Sequence, residues 1–212
     1  MPIVFAAISP HPPILLPEVG SEEDRSKVKK TINALEILAK KFKESKADQV
    51  VISSPHPDWG FNVPLHFISK SFQGEIKNFL TEMLILEPPS FCFEKGKEFY
   101  QSEIKNSKSK IALIASGDLS HCLKEDGPYG FHSDGPEFDK NIIEFLKNKD
   151  VKRILKLEDN FPNAGECGLR SFCYLLGILE ASKTNWQPDL LSYEGPFGVG
   201  YLVFNFKLGK TS

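Results

Sequence analysis

Continuous apolar runs recur along this chain, and each stops at a small or turn-forming residue. Ile3-Val4-Phe5-Ala6-Ala7-Ile8 ends at Ser9-Pro10, Val50-Val51-Ile52-Ser53 ends at Ser54-Pro55, and Ile111-Ala112-Leu113-Ile114-Ala115 ends at Ser116-Gly117. Unbroken apolar character without alternation predicts strands covered on both faces, as in a parallel sheet. Between the first two runs the pattern changes period. Val28, Ile32, Leu35, Leu38 and Phe42 step by three or four and share one helical face. Ser21-Glu22-Glu23-Asp24 resembles a capping box at its start, so a helix is predicted from near Ser21 to near Ser45. Strand, helix and strand form a β-α-β unit, which favours neighbouring parallel strands whose C-terminal ends share one edge.

The middle of the chain is less regular. Val63-Pro64-Leu65 is apolar around a proline, residues 79–86 suit a strand or a short helix, and residues 94–106 suit a helix with a thin apolar face. After the third run comes a Gly/Pro-rich loop from Gly127 to Pro136. Helices follow through Phe138, Ile142 and Leu146, from Val151 to Leu157, and from Leu169 to Ala181. The last is apolar on most sides, so it is expected to be deeply buried. Residues 190–193 and 199–206 read as two closing strands joined by a glycine-rich turn. With no linker or low-complexity segment, residues 1–212 are read as a single α/β domain with a mixed central sheet flanked by helices.

Composition narrows the classes. The 212 residues are 41% hydrophobic and 25% charged, with a net charge of −2, as in an ordinary soluble domain able to bury a core. No basic stripe argues for nucleic acid, and no polybasic patch argues for a membrane surface. No apolar run approaches the ~20 residues that span a bilayer. The N-terminus lacks the basic start of a signal peptide, and the four cysteines, Cys92, Cys122, Cys167 and Cys173, show no CxxC pairing. A cytoplasmic location with free thiols is expected.

The candidate chemistry lies where the apolar runs stop. The tetrapeptide Ser-Pro-His-Pro occurs twice, as Ser9-Pro10-His11-Pro12 and Ser54-Pro55-His56-Pro57, and the third run delivers His121 through Gly117-Asp118-Leu119-Ser120. Glu166 adds a carboxylate at a turn before the apolar helix. Two imidazoles and one carboxylate on one face of a metal leave positions open, the arrangement of non-haem Fe(II) oxygenases. A third histidine suits a general acid/base. The same residue types also suit Zn²⁺ in a hydrolase. His66 and His132 lack the strand-end setting.

Several segments together resemble the class III extradiol ring-cleavage dioxygenase superfamily. They are Ser9-Pro10-His11-Pro12-Pro13, Ser54-Pro55-His56, Ala115-Ser116-Gly117-Asp118-Leu119-Ser120-His121, Gly127-Pro128-Tyr129-Gly130-Phe131 and Asp134-Gly135-Pro136-Glu137-Phe138-Asp139. Glu166-Cys167-Gly168-Leu169-Arg170-Ser171 and residues 191–201 complete the set. The pattern is most similar to the branch found with AMMECR1-type domains and related to Memo proteins. The resemblance implies a mixed α/β fold with Fe(II), or zinc or another divalent metal, held by His11, His56 and Glu166, and with His121 as the catalytic acid/base. It implies a catechol-like substrate cleaved with dioxygen, and a homo-oligomer or an AMMECR1-type partner. Two features depart from the pattern. Trp59 stands where many members carry a histidine, and Cys167, beside Glu166, matches the cysteine that Memo-like relatives use as third ligand. The alternative implied by that branch is a non-catalytic or redox metal-binding protein.

Overall fold

The computed structural model describes residues 2–71 and 78–209. Strands β1 (Ile3–Ser9), β2 (Gln49–Ser54), β3 (Asn78–Met83), β4 (Ile111–Ser116), β5 (Trp186–Glu194) and β6 (Tyr201–Leu208) form one sheet in the order β3-β2-β4-β1-β6-β5. The first four run parallel, whereas β6 is antiparallel to β1 and β5 is antiparallel to β6. This is the mixed α/β domain that the apolar runs predict, with one change of neighbours. β1 and β2 do not pair; β4, buried at all six positions, lies between them. Because all three strands are parallel, their C-terminal ends still share an edge.

Helices α1 (Glu22–Lys27), α2 (Lys29–Ser45), α3 (Trp59–Ser71), α4 (Pro89–Phe99), α5 (Asp134–Asn148), α6 (Val151–Ile154), α7 (Leu157–Asn160) and α8 (Leu169–Ala181) cover the sheet. Successive strand residues point to opposite faces, and the core divides accordingly. Ala7 of β1, Val50 and Ile52 of β2, and Ala112 and Ile114 of β4 pack with Leu35, Leu38 and Phe42 of α2 and Val63 and Phe67 of α3. Ala6, Ile8, Val51, Leu113 and Ala115 pack on the other face with Cys92 of α4, Phe138 and Ile142 of α5, and Phe172 and Leu176 of α8. Each large side chain buried this completely contributes roughly 1.5–3 kcal/mol. Two such layers hold the ends of β1, β2 and β4 in fixed relation.

The helix predicted over 21–45 is two helices. Ser21 caps the first, its Oγ accepting the Asp24 N–H at 3.1 Å. The chain breaks at Val28, and the second helix is capped from outside by Glu194, whose Oε1 accepts the Thr31 N–H at 2.8 Å. The proline-centred stretch is helix α3, with Pro64 inside it. Helix α4 runs on through a π-helical turn, Tyr100–Ile104, to complete the helix predicted there. The 151–157 stretch divides into α6 and α7. No described helix is long and apolar enough to cross a membrane.

Candidate metal centre

Each apolar strand delivers its histidine to the shared edge. His11 follows β1, and its backbone N–H donates to Asp118 Oδ1 at 3.1 Å, tying the end of β1 to the loop after β4. His56 follows β2 in a turn closed by Ser54, whose Oγ accepts the His56 N–H at 3.2 Å. The two imidazole rings meet edge to face, with centroids 5.2 Å apart. His11 is buried and His56 is exposed.

The third donor comes from the segment that enters α8. Ligand atoms of His11, His56 and Cys167 all lie within 4.8 Å of one another. Cys167 Sγ is 3.7 Å from His11 Nε2 and accepts the Asp118 N–H at 3.3 Å. This approach depends on two glycines. A Cβ at Gly117 would lie 2.2 Å from Gly168 Cα, so the loop after β4 and the entry to α8 meet backbone to backbone. The Gly168 N–H then donates to Asp118 O at 3.0 Å. A second group, Asp118, His121 and Cys167, satisfies the same 4.8 Å condition and shares the thiol.

Glu166 belongs to neither group. Its Oε2 accepts the Leu169 N–H at 2.6 Å at the start of α8, and its Oε1 lies 3.4 Å from Arg170 Nη1. A carboxylate at a helix N-terminus is satisfied by unpaired N–H groups and the dipole, and this one turns toward the helix rather than the strand ends. The structure therefore places Cys167, not Glu166, with the two histidines. Asp118 is the site residue that sequence reading passed over. Its only signal was its place between a buried strand and His121. Of the other histidines, His132 Nδ1 accepts the Asp134 N–H at 3.1 Å at the start of α5, and His66 packs against Phe67; neither lines the pocket.

The pocket has a volume of about 270 Å³ and is lined by His11, His56, Asp118 and His121 together with Trp59, Tyr129 and Tyr201. Small-molecule sites commonly span roughly 300–1,000 Å³, so this one suits a ligand about the size of a single ring. Trp59 is 48% exposed and forms part of the wall without closing the pocket. His121 packs against Tyr129 with the rings tilted by 40° and centroids 4.9 Å apart, and its Nε2 is buried without a hydrogen-bond partner.

Burial sets the electrostatics. It lowers His11 to about 3, helped by the nearby His56, so His11 is neutral at neutral pH. Burial also lowers His121, against the opposing pull of Asp118. It raises Asp118 to about 6, and it raises the Cys167 thiol well above its usual range. The donor set fits a divalent cation. A neutral imidazole offers its lone pair, a bound cation deprotonates a coordinating thiol, and the buried His121 Nε2 lacks a partner that a ligand would supply. Two imidazoles and a thiolate are softer than the predicted two imidazoles and a carboxylate.

Comparison with known proteins gives the same family. The chain is 28% identical over 268 aligned positions to protein CA_C1420 of Clostridium acetobutylicum, covering 93% of this chain and 56% of that protein. It thus spans little more than half the length of that relative. An Escherichia coli K12 crystal structure, of uncharacterized protein JW3007, shares the fold with a TM-score of 0.56 at 12% identity, covering 95% of this chain and 99% of that one. The model for the catalytic LigB subunit of aromatic ring-opening dioxygenase matches residues 56–204, a span that takes in His56, Asp118, His121 and Cys167. With that match over most of its length, the chain belongs to the LigB family of aromatic ring-opening dioxygenase catalytic subunits.

Proposed function

We propose that the chain is a metal-dependent oxidoreductase of the ring-opening dioxygenase type, acting on a small catechol-like diol with dioxygen. The observation that carries this reading is the convergence of His11, His56 and Cys167 donor atoms within 4.8 Å beside a ring-sized pocket that also holds His121. These three residues would hold the cation, Fe(II) by family resemblance, or zinc or another divalent metal. Bound Fe(II) would supply open coordination positions for a diol and dioxygen. Trp59, Tyr129 and Tyr201 offer aromatic faces to a substrate ring. His121, kept neutral by burial, accepts a proton from a diol hydroxyl and returns it to the product. Asp118 stabilises the imidazolium formed in between.

The test is oxygen uptake by anaerobically Fe(II)-loaded protein over a panel of aromatic diols. The expected result is uptake that falls about 10²-fold or more in His121→Ala while metal content is retained. Full activity in that variant would remove His121 from its role. Absence of uptake with any diol would support a second reading, favoured by Cys167: a Memo-like protein that binds metal for a redox or non-catalytic task, alone, as a homo-oligomer or with an AMMECR1-type partner. Cytoplasmic location belongs to both readings.

A further inference from the structure

Helix α3 carries a proline where its second turn begins, and the consequence reaches the candidate metal centre. In an α-helix the N–H of each residue bonds the carbonyl four residues earlier. Pro64 has no N–H, so the Gly60 carbonyl lacks that donor. Ser116, at the buried C-terminal end of β4, supplies one: its Oγ donates to Gly60 O at 2.5 Å. A carbonyl only accepts, so the hydroxyl hydrogen of Ser116 is committed to it. The same Oγ lies 3.0 Å from His11 Nδ1. With its hydrogen already given away, the hydroxyl oxygen accepts, and His11 Nδ1 must carry the proton. The lone pair is then on Nε2, the nitrogen 3.7 Å from Cys167 Sγ.

We propose that Pro64, Gly60 and Ser116 form a relay that locks His11 in the Nδ1–H tautomer and so keeps Nε2 free to bind a cation. Its functional meaning rests on the metal-centre reading; the tautomer itself does not. The strand order makes the relay possible, because β4 lies between β1 and β2 and its last residue pairs with Ser9 beside His11. Gly60 is constrained in turn. A Cβ there would lie 2.0 Å from Ser54 Oγ and 3.2 Å from Ser54 Cβ, so a side chain would displace the Ser54 hydroxyl that closes the His56 turn. Without the lock the opposite tautomer gains. Asp118 Oδ2, 3.9 Å from His11 Nε2, and the Cys167 sulfur would both draw a proton onto that nitrogen. Pro64, Gly60 and Ser116 are thus positioning residues. Partners that fix the tautomer of a ligating histidine typically change metal affinity by roughly 10–100-fold.

The experiment is long-range ¹H–¹⁵N correlation NMR on metal-free, ¹⁵N-histidine-labelled protein at neutral pH, with Zn²⁺ affinity measured by chelator competition. The expected wild-type His11 is protonated at Nδ1. Ser116→Ala is expected to shift it to Nε2–H and to weaken Zn²⁺ binding by about 10–100-fold. Pro64→Ala, a better helix former, restores a donor to Gly60 O. It is expected to lower the Nδ1–H population while the fold persists by thermal unfolding. A wild-type His11 in the Nε2–H form, or Nδ1–H retained in both variants, overturns the proposal. A tautomer that flips as expected in a protein that binds no Zn²⁺ upholds the relay and defeats the metal-centre reading.

Discussion

At Asp139 a buried carboxyl holds the loop that presents His121. It is 1% exposed, accepts the Ser120 N–H at 2.8 Å and accepts the Tyr193 O–H at 2.6 Å. Burial raises its carboxyl to about 7, from an ordinary value of 3.8. Between those values the folded protein keeps a proton that the unfolded chain has released. Its stabilising contribution is therefore complete below about pH 4 and lost as pH rises through about 7. Asp139→Asn keeps the size of the side chain and cannot titrate. Urea unfolding of the metal-free protein across this range is expected to give a shallower decline in stability for the variant than for wild type. An identical slope would show that Asp139 does not hold the extra proton. Sequence alone showed Asp139 only as part of a motif. Its role required knowing that β5 brings Tyr193 beside the loop after β4. The confusion between Glu166 and Cys167 has a similar origin. Both precede α8, and only the fold shows that the carboxylate turns to the helix N-terminus while the thiol faces the strand ends.

Among elements, the legible ones were those whose burial is one-dimensional. β1, β2 and β4 are buried along nearly their whole length and each holds an unbroken apolar run, and α8 is buried almost all round, so their residues declare them. Elements that depend on distant partners were not legible. The break at Val28 and the start of α2 rely on Glu194, whose Oε1 takes the Thr31 N–H and also the Thr31 hydroxyl at 2.6 Å. That bond spans 163 positions of sequence and replaces a local cap. Helix α3 was hidden by Pro64; the Gly60 carbonyl that it leaves without a helical donor is bonded from β4. The capping role of Glu194 gives an expectation at this scale. Glu194→Ala should cost about 1 kcal/mol, the usual loss for a helix cap, measured by urea unfolding with the metal-free protein. No loss of stability would mean that α2 does not depend on β5 for its start.

Across the whole molecule, the parallel arrangement of β1, β2 and β4 is what turns three separate histidines into one site. The repeated Ser-Pro-His-Pro segments made that edge visible before the fold was known, even though the two strands are separated by a third. The sheet and its two apolar layers fix the edge, the loop after β4 brings Asp118 and His121, and the entry to α8 adds the thiol. The nature of the anionic donor decides which metals the site prefers and how closely it follows the ring-opening members of its family. Titration with Co²⁺ under anaerobic conditions addresses that donor directly, because a thiolate bound to Co²⁺ gives a near-ultraviolet charge-transfer band and a carboxylate does not. The expected result is a band in the wild type and in Glu166→Gln that disappears in Cys167→Ser, with affinity at least about tenfold weaker in the latter. A spectrum without the band, or Co²⁺ binding that survives Cys167→Ser and fails in Glu166→Gln, would contradict the assignment of His11, His56 and Cys167 as the metal centre.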